Sequence, residues 1–269
     1  MPPYKMIELF AGIGGIRLGF ERAFGNEVET VFVSEIDKYA VQTYRKNFDT
    51  PAKIFGDIRD IDEKNIPAFD ICLAGFPCQA FSIAGKKQGF NDDYYGEYRG
   101  TLFREVVRVC DFHKPKIIFC ENVKGLVIHD KGRTFKTICD AFEKRGYKLH
   151  YKILNSKNFG LAQNRERIYI VCFRNDIDDS NFKFPEPTNK KVTLAEILEE
   201  APILAKYYLS ETYVKIRRRK LWIKNYGRAR KKLLFSTCIA KFRFKVLQRI
   251  ILKLYELRKL SGVRQVPSI

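Results

Sequence analysis

Met6-Ile7-Glu8-Leu9-Phe10-Ala11-Gly12-Ile13-Gly14-Gly15 is a short apolar run that turns on glycines and passes into a helical pattern through Phe24. Strand, glycine-rich turn and helix in that order make the opening unit of a nucleotide-binding α/β sheet. Glycines let a ligand approach the backbone closely, and the helix N-terminus offers unpaired amides. The run lacks the Gly-x-Gly-x-x-Gly spacing of dinucleotide-binding turns, so a tight turn with no ligand is the alternative reading.

The next two units repeat the pattern. Glu29-Thr30-Val31-Phe32-Val33-Ser34-Glu35 is a β-branched strand with an acid at its carboxyl end, 20 residues after Gly15. In Rossmann-type folds an acid near this place holds ribose hydroxyls. Ile36–Phe48 then reads as a helix, and a third unit ends in Ile54-Phe55-Gly56-Asp57-Ile58, with another acid just past a short strand. Two acids at successive strand ends beside a glycine turn suit an adenosine ligand with no phosphate to bind. An adenosine carrier fits better than a dinucleotide.

A fourth apolar strand, Asp70–Ala74, breaks abruptly in Gly75-Phe76-Pro77 and delivers Cys78. Reactive groups collect at the carboxyl edge of open α/β sheets. Pro77 fixes the backbone on the approach to the thiol. On a polar loop running to about Asn91, Cys78 is a candidate nucleophile, with a packed structural cysteine as the alternative. Arg99–Phe103 leads into an amphipathic helix to about Phe112, and Pro115–Val123 is a strongly apolar strand closed by Glu121. That acid faces the same cleft as Cys78. A helix near Arg133–Arg145 precedes a strand at Tyr147–Leu154. Gln163-Asn164-Arg165-Glu166-Arg167 then runs directly into the apolar Ile168–Cys172, and on their own these arginines read as surface charge. Phe184-Pro185-Glu186-Pro187 marks the end of the compact region. Thr193–Glu200 reads as a short helix capped by Thr193, with Glu196 three residues on.

Composition bounds the rest. The 269 residues are enough for one large α/β domain plus an appendage, and 45% hydrophobic content with 22 Phe supports a real core. No apolar run approaches the roughly 20 residues of a membrane helix, and Glu8 and the glycines interrupt any signal-peptide core. Seven cysteines with no CxxC pair argue against a zinc site and a disulfide framework, and for a reducing cytosol. Net charge is +19, but Tyr213–Ile269 carries 18 Lys and Arg against the single acid Glu256, leaving +2 for residues 1–212. That split points to a polyanion partner for the tail, or to a tail of unusual origin.

Taken together, these residues resemble the DNA (cytosine-5)-methyltransferases of the bacterial restriction–modification type, over roughly residues 6–212. Phe10-Ala11-Gly12-Ile13-Gly14-Gly15 is similar to the cofactor turn and Gly75-Phe76-Pro77-Cys78-Gln79 to the nucleophile motif. Glu121-Asn122-Val123 resembles the catalytic acid motif, and Gln163-x-Arg165-x-Arg167 the arginine motif. The resemblance implies a Rossmann-like α/β fold, with a central, mostly parallel sheet and helices on both faces. It implies S-adenosyl-L-methionine as cofactor, duplex DNA as substrate, no metal, and a cytoplasmic, nucleoid-associated setting beside a cognate restriction endonuclease.

The same resemblance assigns roles. Cys78 would add to carbon 6 of a flipped-out cytosine and make carbon 5 nucleophilic. Glu121 would bind the ring nitrogen and amino edge, and Arg165 the ring oxygen. Arg167 would meet the base, a phosphate or Glu121. Phe10, Gly12, Gly14, Glu35, Ile36, Asp57, Ile58, Pro77 and Leu102 would form the cofactor site, with Phe10 and Ile58 flanking adenine. Glu35 would take the ribose and Asp57 the adenine amino group, while core packing is the alternative for Phe10, Ile36 and Leu102. Gln79, Ser82, Lys86 and Lys87, on the loop with Gly85, would contact DNA.

Past about Arg217 the likeness stops, and the family's two later motifs, Arg-x-x-Gln-Gly-Phe-Pro and Gly-Asn-Ser-Val, are not found. The expected division is a catalytic domain at 1–190, a connecting segment at 191–212 and a basic tail at 213–269 replacing the target-recognition region. A truncated, inactive remnant and a non-enzymatic basic DNA-binding protein are the competing readings, and methylation of RNA cytosine is a related one.

Overall fold

In a computed structural model, residues 3–48, 53–77, 93–94, 97–98, 102–188 and 190–197 are described. The chain forms β1 (Tyr4–Leu9), α1 (Gly15–Phe24), β2 (Val28–Ser34), α2 (Lys38–Asn47), β3 (Ile54–Phe55) and β4 (Ile71–Ala74). A two-stranded antiparallel hairpin follows, β5 (Asp93–Tyr94) with β6 (Glu97–Tyr98). Then come α3 (Phe103–His113), β7 (Ile117–Val123), α4 (Gly125–Ile128), α5 (Arg133–Glu143), β8 (Tyr147–Asn155) and β9 (Glu166–Arg174).

Seven strands make one sheet in the order β3-β2-β1-β4-β7-β9-β8. The pairs from β3 through β7 are parallel. β9 runs antiparallel to both β7 and β8. The mostly parallel sheet that the resemblance implies is present, with β9 as the reversed strand.

Period-two alternation with burial on both faces explains why β1, β4, β7 and β9 are largely apolar. Ile7, Leu9, Cys72, Ala74, Ile118, Cys120, Ile168, Ile170 and Cys172 face one core, with Val106 and Cys110 of α3 and Ile138 and Phe142 of α5. Met6, Ile71, Leu73, Phe119, Val171 and Phe173 face the other, with Phe20 and Phe24 of α1. A sheet buried on both faces needs hydrophobic residues at every position, which is the pattern of parallel α/β sheets.

Local chemistry sets the element ends. Asp37 caps α2 by accepting the Tyr39 and Ala40 amides at 2.8 Å, so the helix starts at Lys38 and not at Ile36. Asp57 caps a 3-10 turn at Ile58–Asp60, so β3 stops at Phe55 and the acid stands just past a short strand, as expected. Thr193 donates its amide to Glu196 Oε1, which is half of the expected cap pattern, and its hydroxyl donates to the same oxygen. The described residues there form a 3-10 turn at Ala195–Ile197, and the remainder of the expected Thr193–Glu200 helix lies outside the described residues. The 213–269 tail lies outside them as well. Among the described residues no helix is long and apolar enough to cross a membrane.

Candidate active site

The topology selects the site. From β1 the chain moves outward to β2 and β3, then returns to β4 on β1's other side. Ligands in open α/β sheets bind at such a reversal, outside the carboxyl ends of the strands. Two turns leave the sheet there, Phe10–Gly14 after β1 and Gly75–Pro77 after β4. They lie against each other: a Cβ on Gly75 would sit 3.4 Å from Ile16 Cδ1 and 3.8 Å from the Phe10 carbonyl oxygen.

The first turn is held by its own amides. Ala11 N–H donates to the Ser34 carbonyl at 3.1 Å and Gly14 N–H to the Ala11 carbonyl at 3.0 Å. Gly12 N–H donates to Glu35 Oε2 at 2.7 Å. Phe10 sits in left-handed backbone at φ 56, an unusual conformation for a side-chain-bearing residue and one found at functional turns. Gly14 has φ 81, and a Cβ there would lie 2.1 Å from Phe48 Cε2, so no other residue fits.

Around this turn the cofactor candidates divide. Glu35 is tied twice, to Gly12 and, through Oε1, to the Asp37 amide at 2.8 Å. Ile36 is 61% exposed beside it and so forms an apolar surface open to a ligand. Asp57 is engaged by Arg59, whose Nε lies 3.0 Å from both carboxylate oxygens. That bonding holds the Asp57 carboxyl below the usual range. Ile58, expected to flank adenine, is instead 1% exposed and packs in the core with Ile7, Leu9 and Phe32. Pro77 and Leu102 are half-buried. Cys78, Gln79, Ser82, Gly85, Lys86 and Lys87 lie outside the described residues.

Register builds the other half. β4 ends at Ala74 opposite Cys120, so Glu121, Asn122 and Val123 extend past it beside the Gly75–Pro77 turn. Because β9 is reversed, its first residues reach the edge where β7 ends, with Val123 opposite Arg167. Arg167 Nε lies 3.1 Å from Glu121 Oε1 and Arg165 Nη2 lies 3.4 Å from the same oxygen. All three side chains are mostly buried, so these charge-assisted contacts are weakly screened.

Two supports receive no role from the sequence, although Asn122 stands inside the Glu121-Asn122-Val123 motif. Asn122 is 1% exposed and donates its side-chain amide to the Phe76 carbonyl at 3.3 Å, joining the acid strand to the turn before Cys78. Asn155 and Ser156 staple the β8–β9 connection. Arg165 N–H donates to Asn155 Oδ1 at 3.2 Å, and Ser156 N–H donates to the Arg165 carbonyl at 3.0 Å. An Asn at a strand end and a Ser in a turn occur in most loops, so neither stands out before the fold is known.

Four of the five described thiols behave as core residues, and the fifth, Cys139, is half-buried. Cys72, Cys110, Cys120 and Cys172 are buried and free, and burial pushes the thiols of Cys110, Cys120 and Cys172 well above their ordinary range. Thiols so placed are inert.

Comparisons with known proteins agree with this geometry. The sequence model described as C-5 cytosine-specific DNA methylase matches residues 4–258. The type II methyltransferase M1.ScrFI of Lactococcus lactis subsp. cremoris is 50% identical over 222 residues, 81% of this chain and 52% of that protein. M.HaeII of Haemophilus aegyptius is 52% identical over 212 residues, 78% of this chain and 63% of its own. The chain thus spans between half and two thirds of the length of these relatives. A Spodoptera frugiperda DNMT2 crystal structure superposes with a TM-score of 0.65 at 22% identity, covering 80% of this chain and 65% of that one. At that identity it establishes the fold.

Proposed function

The chain belongs to the C-5 cytosine-specific DNA methylases, and from that membership we propose that it methylates carbon 5 of a flipped-out cytosine in duplex DNA. The observation that carries this reading is the single sheet edge shared by Glu121, Arg165, Arg167 and the Gly75–Pro77 turn. An acid and two guanidinium groups suit the hydrogen-bonding edge of a cytosine, and the turn leads directly to Cys78.

The adenosyl side is supported by the donor set. Glu35 and Asp57 stand at neighbouring strand ends, Ile36 is exposed between them, and the glycine turn brings backbone close to any ligand. These residues fit an adenosyl group. S-adenosyl-L-methionine, when bound there, supplies the methyl group. Phe10, Gly12 and Gly14 would shape the wall against which it lies, with Pro77 and Leu102 opposite.

The chain's own residues do the rest. The Cys78 sulfur forms a bond to carbon 6, pushing electron density to carbon 5 and breaking aromaticity. Glu121 and Arg165 hold the ring nitrogen, amino group and ring oxygen and so disperse the charge that develops. Arg167 fixes Glu121. After carbon 5 takes the methyl, a base removes its proton and the sulfur–carbon bond breaks, restoring Cys78. A stacked base cannot reach the thiol, so the cytosine must leave the helix. Gln79, Ser82, Lys86 and Lys87 would contact the DNA around it. Residues 1–190 would act as the catalytic domain, 191–212 as a connector, and the basic 213–269 segment would meet the DNA polyanion. A restriction endonuclease acting on the same site is the expected partner.

The test is methyl transfer from tritiated S-adenosyl-L-methionine to mixed-sequence duplex DNA, beside Cys78→Ser and with tRNA as competitor. Transfer that falls about a thousandfold or more in the variant is expected. Transfer surviving in Cys78→Ser would overturn the mechanism. A folded, cofactor-binding wild type that transfers nothing would make the chain an inactive relative.

A further inference from the structure

Gly14, the N-cap of α1, has no side chain to satisfy the helix's first amides, and the first turn of α1 contains no acid. In nucleotide-binding turns this is where a phosphate sits, on unpaired N–H groups at the positive end of the helix. Here a carboxylate from the sheet accepts one of those amides. Glu8 is 1% exposed, and its Oε1 accepts the Arg17 amide, the third of α1, at 3.3 Å. The other carboxylate oxygen, Oε2, accepts the Tyr44 hydroxyl of α2 at 2.9 Å, and that hydroxyl in turn accepts Arg17 Nη1 at 2.9 Å. Arg17 Nε closes the set on Glu21 at 2.5 Å, and its guanidinium lies 4.3 Å from the Phe48 ring centre.

At the mouth of the turn Gly12 N–H is likewise bonded to a carboxylate, that of Glu35. One amide of the turn, Gly12, and one of the helix's first turn, Arg17, are thus held by the chain's own carboxylates.

We infer that Glu8 is a specificity-determining residue, whose buried carboxylate makes the glycine turn select adenosyl ligands without phosphate and reject those that carry it. This rests on reading the turn as an adenosyl site and says why that site excludes nucleotides. Repulsion of a second anion and occupation of the helix's positive end act in the same direction.

The charge on Glu8 is titratable near neutrality. Burial pushes its carboxyl up to about 7, against the opposing bonds from Tyr44 and the Arg17 amide and the Arg17 charge, with Glu21 adding repulsion. The groups facing it are therefore Arg17 and Glu21 of α1 and Tyr44 of α2. Discrimination then has a pH signature that a merely structural role would not produce.

The experiment is calorimetric binding of two probes, adenosine and NAD, to the full chain at several pH values. Adenosine has no phosphate, and the pyrophosphate charge of NAD does not change over this range. In the wild type the ratio of dissociation constants, NAD over adenosine, should rise about fivefold between about pH 6 and about pH 8 as Glu8 ionises. Glu8→Gln keeps an acceptor for the Arg17 amide but not the charge, so its ratio should be lower and flat. Tyr44→Phe removes a donor to the ionised form and should move the wild-type profile to higher pH. Because Tyr44→Phe leaves Glu8 in place, it serves where Glu8→Gln fails to fold. Adenosine binding with a ratio independent of pH in the wild type, or a Tyr44→Phe profile superimposable on it, overturns the inference alone. A wild type that binds neither adenosine nor S-adenosyl-L-methionine overturns the adenosyl reading with it.

Discussion

At the β1–β3 side of the sheet edge, Glu8 and Glu35 accept backbone amides from Arg17 and Gly12. At the β7–β9 side, Glu121 meets the side chains of Arg165 and Arg167, more than forty residues away in the chain. The difference is one of exchangeability. An acid bonded to the backbone of its neighbouring turn moves only if that turn moves, so the first region is formed before any ligand arrives. An acid held by two flexible guanidinium groups can pass contacts to an incoming polar edge without disturbing the strands. The first region suits steady binding, and the second suits contacts that strengthen as charge develops during reaction.

The largest expected effect that tests this contrast is Glu121→Gln. Single-turnover methyl transfer should slow by about a hundredfold to a thousandfold, the loss typical of a removed transition-state contact. Titration with S-adenosyl-L-methionine should show unchanged affinity. An equal loss of cofactor affinity would mean that the two regions are one unit.

Next in size is a pH effect on stability confined to the first region. Glu8 is about 7 in the folded chain against an ordinary 4.5, so the folded state holds a proton that the unfolded state has released. Its stabilising contribution is full below the unfolded value and is lost as pH rises through the folded one. Unfolding free energy should therefore fall by up to about 3 kcal/mol between about pH 4.5 and about pH 7 on account of this residue. Carboxylates such as Asp57, held low by Arg59, act oppositely at lower pH. Urea denaturation of wild type and Glu8→Gln across that window isolates the Glu8 share, and identical slopes would contradict it.

The smallest of the three sharpens the second region. Asn122→Ala leaves the buried Phe76 carbonyl without its donor, which should cost about 1–3 kcal/mol of stability. Labelling of Cys78 by a thiol reagent, followed by peptide mapping, should change in rate. The buried Cys110, Cys120 and Cys172 should stay unlabelled in the folded protein. A stability loss with Cys78 labelling unchanged would reduce Asn122 to a packing residue.

Much of this was legible in the chain. The short apolar run Met6-Ile7-Glu8-Leu9-Phe10 into glycines marks β1 and its turn, and Glu35 and Glu121 stand visibly at strand ends. The boundary that differs is the start of α2, where a capping acid competes with the helix. Asp37 delays α2 to Lys38, because its side chain bonds the amides that follow it. Glu8 passed as an interruption in an apolar run, since nothing local shows that Tyr44 and Arg17 surround it.

The sequence by itself determined the strand–turn–helix units, the acids at their ends and the family, because periodicity and short motifs are properties of neighbouring residues. The tertiary structure alone decided that β9 enters reversed between β7 and β8. That reversal brings Arg165 and Arg167, at the start of a strand, to the edge where Glu121 ends one. Strand direction depends on pairing between distant segments, and period-two burial is the same whichever way a strand runs.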